Sequence, residues 1–527
     1  MRTLLIMAAM AAAWPAVADD EYIRWRETAP NEYSAAFWVK FDKLPSGGNP
    51  FREFAVAADA EGRVGITLKA LPTEVKGDFV FPGRTRVAKG EWHHVEIAYS
   101  RIRQRATFYM DGKFEWENDN LHLPKVKFAD LDNTAFTGEV KGLVTYPHFL
   151  HSEELAISGS SQREKACAEA KALKGGLARD VPKALFGWAD ELARRADALA
   201  AKEATIAEVK ALERDSSNLA AFAKKDKAGL ADAFAVWVVR PMTQEPILPW
   251  TMPTYGEVAD KMRVFVCKDE YETASVVVSA FKPLTIRKVS VGDLRGPGGA
   301  VIPSAEADVK LVKRWYRTGG AFMAYFRDSR TRLLVPDLLV NDDDLIRVDE
   351  TERRNFMRFD YPTGRRYVDT SDPVNTYHQS WNANVPFKDA ATLQPAKIPS
   401  AGRNLQYVIT FHAKKDARPG LYGGALTIDT DAGSKDIAVE FKVLDVELPI
   451  MGSTYYDLKK PYISHVNSLP APEGRTRADK LKFLETMIKD AKRHNLYHMS
   501  DLWNAPEKIK LAREAGMVPD RVFSSGW

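Results

Sequence analysis

The sequence has very little cysteine: Cys167 and Cys267 are the only two in 527 residues. Cys167 falls in a helical pattern and Cys267 in a strand-like one. Because a disulfide needs Cα atoms within about 7 Å, segments of such different type are poor candidates for a bridge. No Cys/His group has the spacing of zinc ligands either. We therefore expect no disulfide framework and no structural zinc site.

Excess charge of one sign is also missing, since 75 Lys and Arg face 71 Asp and Glu, for a net charge of +4. Nucleic-acid-binding domains concentrate basic residues on one face, and no basic stripe occurs here. We expect no nucleic-acid partner. The length exceeds what one hydrophobic core supports, so several domains are expected.

Long apolar runs are absent beyond the N-terminus, where a membrane span would need about 20 residues. Residues 1–18 carry one positive charge, Arg2, near their start. An apolar stretch follows and ends in Ala16-Val17-Ala18, directly before two aspartates. Small residues two apart are typical of a signal-peptide cleavage site. We predict cleavage after Ala18, a mature chain beginning at Asp19, and a secreted, periplasmic or cell-surface location. A membrane anchor is the alternative, but the run is short for one.

Short segments of alternating hydrophobicity follow over residues 30–156. They are SAAFWVKF, FREFAVAA, RVGITLKA, HHVEIAYS and RATFYMDG, broken by Gly, Pro, Asn and Asp. This period predicts strands, and their number predicts a two-sheet antiparallel sandwich. The pair Asp111-Gly112 predicts a tight hairpin turn.

Two adjacent histidines, His93 and His94, raise the question of a metal site. Successive side chains on a strand point to opposite faces, so these two cannot readily bind the same ion. We expect one to face the core beside Val95 and the other to face solvent. No metal ligand is assigned.

The segments GEWHHVEIAYS, RATFYMDGKFEWEN and FTGEVKGLVTYPHFLHSEEL resemble, in that order, the concanavalin-A-like, laminin-G-type jelly-roll family. That family has an acidic residue where this sequence has Lys141 after Val140, so calcium is not carried over. The resemblance implies a jelly-roll sandwich that contacts carbohydrate or protein, or acts as a spacer. We take it as an accessory carbohydrate-binding domain.

Residues 157–230 are rich in Ala, Lys, Glu and Leu and predict two or three antiparallel helices that form a connector. Thr205 and Glu208 have capping-box spacing, and apolar residues follow at helical intervals. Pro182 is placed to lie in the first turn of another helix.

Strand patterns return over residues 232–450 and predict a second β-sandwich, with long loops that include VNDDDLIRVDETERRN. Within that segment, Asp342, Asp343 and Asp344 lack the alternating spacing of a calcium loop. We expect a solvated acidic turn there.

The segments KDEYETASVVVSAFKPL, NLQYVITFHAKKDARPGLYGGALTI and VEFKVLDVELP resemble the β-sandwich that precedes the catalytic barrel in a glycoside-hydrolase-like family of secreted bacterial proteins. The family includes relatives of N-acetylgalactosaminidases. The resemblance implies a carbohydrate-active protein whose partners are polysaccharide or glycoconjugate glycans.

The spacing of apolar residues changes again over residues 451–527, where strand-like and helix-like patterns alternate. One amphipathic helix carries Leu481, Leu484, Ile488 and Ala491 on one face. This β-α-β-α-β order predicts the first part of a (β/α) barrel. A full barrel takes about 250 residues, so we expect the chain to stop inside it. The predicted fold class is therefore multidomain and mainly β: a jelly roll, a helical connector, a second sandwich and an incomplete barrel.

Candidate substrate-binding residues lie at the end of the second barrel strand: His498, Asp501 and Trp503. They suit hydrogen bonding and stacking with a sugar. The alternative, which we favour, is that they close the barrel mouth without touching substrate. The paired carboxylates of a glycosidase would lie on later strands. We therefore assign no catalytic residue and no cofactor, and expect no glycosidase activity from this chain. The alternative function is a non-catalytic extracellular glycan-binding, adhesion or scaffold protein.

Overall fold

A computed structural model describes residues 32–51, 54–70, 79–100, 105–118, 126–127, 136–146, 148–225, 230–243, 246–251, 257–318, 332–361, 364–370, 388–447, 462–463, 477–493, 498–499 and 506–516. Over these residues the chain is mainly β, as predicted: a sandwich, a group of helices, a second sandwich, and a short β-α-β-α segment. The predicted signal peptide (residues 1–18) and the predicted last strand, RVFSSGW, lie outside the described residues.

The first sandwich packs two antiparallel sheets face to face. Its strands are β1 (Glu32–Phe41), β2 (Ser46–Phe51), β3 (Phe54–Ala58), β4 (Arg63–Ala70), β5 (Phe79–Arg86), β6 (Trp92–Ser100), β7 (Arg105–Met110), β8 (Lys113–Asn118), β9 (Val126–Lys127) and β10 (Gly138–Tyr146). One sheet has the order β10-β1-β6-β7-β8, and the other has β2-β3-β4-β5, with β9 paired to β4. Alternate residues such as Phe37, Val95 and Phe108 meet in the core between the sheets. The predicted sandwich is confirmed.

The turn between β7 and β8 is the predicted hairpin. Asp111 and Gly112 have φ of 50° and 71°, both in the left-handed region that a type I′ turn requires. The carboxylate of Asp111 also accepts a hydrogen bond from the backbone N–H of His94 at 2.8 Å. The turn is therefore tied to the neighbouring strand β6.

Four helices follow the first sandwich: α1 (Ser152–Leu155), α2 (Ser160–Gly176), α3 (Lys183–Ala200) and α4 (Ile206–Ala223). The predicted capping box begins α4, where Glu208 accepts from the Thr205 N–H at 2.8 Å and Thr205 Oγ1 accepts from the Glu208 N–H at 3.3 Å. Pro182 lies directly before α3. Cys167 is a buried free thiol on α2.

The second sandwich contains β11 (Phe234–Val239), β12 (Glu257–Val258), β13 (Lys261–Lys268), β14 (Glu270–Ala280), β15 (Leu284–Val291), β16 (Leu294–Arg295), β17 (Val301–Ile302), β18 (Ala307–Thr318), β19 (Arg332–Val340), β20 (Ile346–Asp349), β21 (Arg354–Tyr361), β22 (Gly364–Asp369), β23 (Ala396–Ile398), β24 (Arg403–Ala413), β25 (Gly420–Thr430) and β26 (Gly433–Glu447). Its main sheets have the orders β12-β11-β14-β24-β18-β19 and β13-β26-β25-β15-β23. A large core that includes Val276, Phe411 and Phe441 fills the space between them.

A third, three-stranded sheet, β20-β21-β22, occupies part of the segment that we predicted as a loop. Strands β20 and β21 pair antiparallel, and the turn between them includes Arg353 with φ of 52°. Strand β20 has only four residues, Ile-Arg-Val-Asp, whose alternation is too short to be distinguished from a loop by pattern. The loop prediction is wrong at this point.

The helices and the second sandwich share one hydrophobic core. Ala235 of β11 and Phe281, which follows β14, belong to the same buried cluster as the inner faces of α2, α3 and α4. The Trp188 ring of α3 stacks on Phe281, with centroids 6.3 Å apart and planes 16° from parallel. Gly402 has φ of 74°, and a Cβ added there would lie 2.6 Å from Trp188 Cζ2. This core requires a glycine beside the tryptophan.

The C-terminal part begins with β27 (Tyr462–Ile463), α5 (Arg477–Arg493), β28 (His498–Met499) and α6 (Pro506–Glu514). The two strands pair in parallel, with α5 as the crossover. Leu484, Ile488 and Ala491 of α5 pack with Ala512 of α6, as the predicted apolar face requires. The β-α-β-α order is confirmed within the described residues. None of the described helices is long and apolar enough to cross a membrane.

Candidate functional site

The predicted substrate-binding residues are only partly placed. His498 opens β28, with its backbone paired to Tyr462 of β27. Asp501 and Trp503 lie outside the described residues, so that site stays a prediction.

The five-stranded sheet of the first sandwich presents an aromatic and charged strip on the face that points away from the core. The strand register places Lys40 opposite Trp92, and Trp38 opposite both His94 and Lys141. These residues alternate along their strands with core residues, so they share the outer face. We name the outer strip by its members on this face: Trp38, Lys40, Trp92, His94, Glu96 and Lys141.

One end of the outer strip is a tryptophan contacted by two lysines. The Lys141 ammonium lies 4.5 Å from the centroid of the Trp92 ring, and that of Lys40 lies 5.2 Å from it. Lys40 also forms an ion pair with Glu139, and its hydrogen bond to that carboxylate raises the pKa of Lys40. Both contacts are cation–π geometry. The strip therefore ends in an aromatic surface bordered by positive charge.

The centre of the outer strip is a buried His–Glu pair. His94 Nδ1 lies 3.1 Å from Glu96 Oε1, and the Glu96 side chain is 1% exposed. The Trp38 ring packs against His94, with centroids 5.0 Å apart. His94 Nε2 and Glu96 Oε2 have no hydrogen-bond partner among the described residues. Both atoms are closed off from solvent, so the pair lies under the surface of the strip, where an unsatisfied buried polar atom typically costs about 1–3 kcal/mol.

The two histidines lie on opposite faces, as predicted, but neither faces solvent. His93 Nδ1 is 2.8 Å from Asp111 Oδ2, and the His93 side chain is 12% exposed. The alternation of side chains along the strand predicts that His94 faces solvent. It is only 6% exposed, because the Trp38 ring packs against it. The solvent-facing prediction is wrong for this reason.

The other end of the same sheet face is covered. Ser34 Oγ donates to the His148 carbonyl at 2.7 Å and accepts from the Leu150 N–H at 2.8 Å. Ala36 and Ala98 pack against Phe149, Leu150 and Leu155. Residues 148–155, which we call the covering segment, therefore close this end of the face and leave the outer strip beyond them.

A second candidate site is a cavity of about 550 Å³ in the second sandwich. Its wall comes from β18, β19, β20, β23, β24 and the turn before β20. Five cations line it, namely Lys313, Arg314, Arg347, Lys397 and Arg403, against the three carboxylates of Asp343, Asp344 and Glu350. Ion pairs join Lys313 to Asp343, Arg347 to Asp344 and Arg403 to Glu350. Two cations, Arg314 and Lys397, remain in excess.

Arg314 is a buried guanidinium, 7% exposed. Its Nε donates to the Ile247 carbonyl at 2.8 Å and its Nη1 to the Asn404 carbonyl at 2.7 Å. Nη2 has no hydrogen-bond partner among the described residues. Burial, and then the nearby charge of Arg403, lower the pKa of Arg314 to about 10, so the group stays cationic at neutral pH.

The acidic run beside this cavity is solvated only in part: the Asp344 side chain is 48% exposed, as the sequence predicts, whereas those of Asp343 and Asp342 are 29% and 16% exposed. Asp342 pairs with Arg358, whose side chain is 6% exposed. Asp343 binds Lys313 Nζ at 2.6 Å, and Asp344 binds Arg347 Nε at 2.8 Å. Each carboxylate therefore has a basic partner that lies far from it in sequence or on the next strand. Within the part of the chain that the structure describes, no group of three or more His, Cys, Asp or Glu side chains could hold a metal ion.

Comparison with known proteins finds only distant similarity to solved structures. No family model matches the sequence, and no curated protein matches it. A family 123 glycoside hydrolase from Clostridium perfringens is 11% identical over 50% of this chain and 42% of that chain, with a TM-score of 0.28. The Ruminococcus gnavus IT-sialidase CBM40 bound to α2,3 sialyllactose is 13% identical over 25% and 83% of the two chains, with a TM-score of 0.21. Mouse laminin α1 domains LG4-5 are 8% identical over 77% and 71%, with a TM-score of 0.17. This chain thus spans less than half the length of the glycoside hydrolase chain, and none of these likenesses assigns it an activity.

Proposed function

We propose that this chain is the glycan-binding part of an exported carbohydrate-active protein, and that the outer strip of the first sandwich contacts the sugar. The observation that carries the proposal is the Trp92 ring bordered by the ammonium groups of Lys40 and Lys141, next to Trp38 on the same face of the sheet. Sites for small polar ligands combine apolar, often aromatic, walls with a few converging polar groups. A sugar ring offers both a C–H face for a tryptophan and hydroxyls for the two lysines.

The lysines at the open end fit this use. Lys141 is exposed, so its flexible side chain can leave the Trp92 ring when a sugar packs there. It then remains close enough to donate hydrogen bonds to hydroxyl or acidic groups of the glycan. The partner class is accordingly a polysaccharide or a glycoconjugate glycan.

The glycoside-hydrolase-like part of the proposal rests on different residues. The parallel pairing of Tyr462–Ile463 with His498–Met499, across the helix Arg477–Arg493, is the connection from which a (β/α) barrel is built. Export rests on residues 1–18. No described residue is assigned a catalytic role, so binding is the activity proposed for this chain.

The test is glycan binding by the mature chain. We expect binding to one or more polysaccharides or glycoconjugate glycans on an array, followed by calorimetric titration of those that bind. Trp92→Ala should weaken binding about tenfold, because it removes the aromatic surface. Lys141→Met should also weaken it, because it removes a donor to a glycan hydroxyl or acidic group.

The matched control is Phe265→Ala, which removes an aromatic side chain that is 58% exposed on β13 of the second sandwich. We expect unchanged binding in this variant. Equal affinity of wild type and Trp92→Ala for every glycan that binds would refute the outer strip as the site. No binding to any glycan would refute the proposed function.

A further inference from the structure

We propose that the cavity of the second sandwich binds the oxyanion of a small ligand, a carboxylated or sulfated sugar. The sugar part rests on the proposed function, whereas the oxyanion part rests only on the charges that line the cavity. Of its five cations, three are neutralised by Asp343, Asp344 and Glu350. The lining is left with a net charge of two positive units, carried by Arg314 and Lys397.

The buried positive charge of Arg314 destabilises the ligand-free fold. A buried ionised group is normally paired with an opposite charge, because desolvation penalises it otherwise. Arg314 has only two backbone carbonyl partners, and no described carboxylate lies within ion-pair distance of it. Its neighbour Arg403 adds like-charge repulsion, and this is the second cause of the lowered pKa of Arg314. An anion beside Arg403 would offset both costs.

The solvent exposure of each cation determines whether it can contact the oxyanion directly. Arg314 Nη2 is closed off from solvent, so Arg314 contributes its positive charge from behind the cavity wall. Arg403 has a side chain that is 25% exposed, and Lys397 is exposed on β23. We therefore assign the direct contacts with the oxyanion to Arg403 and Lys397. Arg403 would exchange part of its contact with Glu350 for the ligand.

The rest of the lining fits a small organic ligand. Apolar side chains share the wall with the charges, and these are Pro249, Leu334, Ile346, Val348 and Leu405. The volume of about 550 Å³ falls in the range of about 300–1,000 Å³ that is typical of small-molecule sites. A free inorganic ion would leave most of this apolar wall without contact. A sugar that carries one acidic group would use both parts of the lining.

The experiment measures thermal stability and calorimetric affinity of the full chain with glucuronic acid, N-acetylglucosamine 6-sulfate, glucose 6-phosphate, neutral glucose, inorganic sulfate and inorganic phosphate. We expect the carboxylated or the sulfated sugar to raise the Tm, since a ligand that binds the native state stabilises it. Added NaCl should weaken that binding, because it screens the charges. Neutral glucose should give no shift.

Two variants test the proposed contacts with the oxyanion without leaving a cavity in the hydrophobic core. Lys397→Met and Arg403→Gln should each weaken oxyanion binding about tenfold, which is about 1.4 kcal/mol. Lys442→Met, at an exposed lysine on β26, is the matched control and should leave affinity unchanged. Arg314→Met should weaken binding as well, but only folded protein of this variant is informative.

Several outcomes would overturn the proposal. They are an absence of stabilisation by any oxyanion at millimolar concentration, equal binding of glucose and its charged analogues, or unchanged affinity in both Lys397→Met and Arg403→Gln. Stabilisation by inorganic sulfate equal to that by the sugars would overturn the sugar assignment. Retained binding in Trp92→Ala would show that the cavity acts independently of the outer strip, so the two proposals can fail separately.

Discussion

Replacement of Trp188 by alanine tests whether the helices and the second sandwich unfold as one body. The ring is 2% exposed and contacts Phe222 of α4 as well as Phe281 of the sandwich. Truncation of a buried Phe or Trp to Ala typically costs about 3–5 kcal/mol, through lost burial and the cavity left behind. We expect Trp188→Ala to lose that much free energy of unfolding in both parts at once, because the core is common to them.

The two cysteines report on the two parts separately. Cys167 is buried on α2, and Cys267 lies on β13 of the second sandwich. Pulsed thiol labelling against urea, in Cys167→Ala and Cys267→Ala backgrounds, gives one midpoint for the sandwich and one for the helices. Both midpoints should fall together in Trp188→Ala.

Gly402→Ala perturbs the same contact from the sandwich side. The left-handed φ of 74° costs an alanine about 1–2 kcal/mol, and its Cβ would meet the Trp188 ring at 2.6 Å. Phe265→Ala, at an exposed position, should stay within about 0.5 kcal/mol of wild type. A lowered midpoint for Cys167 with an unchanged midpoint for Cys267 in Trp188→Ala would refute the shared core.

Two further predictions concern acid stability and export. Burial raises the pKa of Glu306, but hydrogen bonds from Lys414 and His412 outweigh it, and the net pKa lies below its ordinary value of 4.5. A lowered carboxyl pKa stabilises the fold above 4.5, and that contribution is lost as the pH falls through the folded value. The free energy of unfolding of Glu306→Gln, measured in urea, should therefore fall less than that of wild type as the pH drops below about 5. Identical pH dependence of the two proteins would contradict the lowered pKa of Glu306. N-terminal sequencing of exported protein should begin at Asp19, and an intact Met1 on soluble exported material would contradict the predicted cleavage.

Local rules were sufficient for much of the fold. The period of two located strands such as β1 and β6, the pair Asp111-Gly112 located a hairpin, and Thr205 with Glu208 located the start of a helix. Each of these features depends on residues within a few positions of each other. Such features follow from local backbone geometry and need no tertiary contact to be predicted.

The candidate sites depend on contacts that no local pattern contains. Lys141 reaches Trp92 only because β10 and β6 both pair with β1. Arg314 and Arg403 share a cavity because β18 pairs with β24, far along the chain. The acidic run was predicted as solvated because its basic partners, such as Arg358, become neighbours only once β20 pairs with β21. Sequence patterns singled out Lys141 and the acidic run, but not Arg314 or Arg403, because the proximity of those two arginines depends on strands that are far apart in the chain.

The covering segment makes the two ends of the outer strip different, because it blocks one of them. It closes the face near Ser34 and Ala36, at the start of β1, and the strip lies toward the end of that strand at Lys40. If the outer strip binds a glycan as proposed, a glycan aligned with the strands would enter from one side only, with its leading residue against Phe149 and Leu150. A long polymer would have to present a terminus or cross the strands. The proposed glycan-binding face would therefore favour chain ends and branches over the interior of a linear polysaccharide.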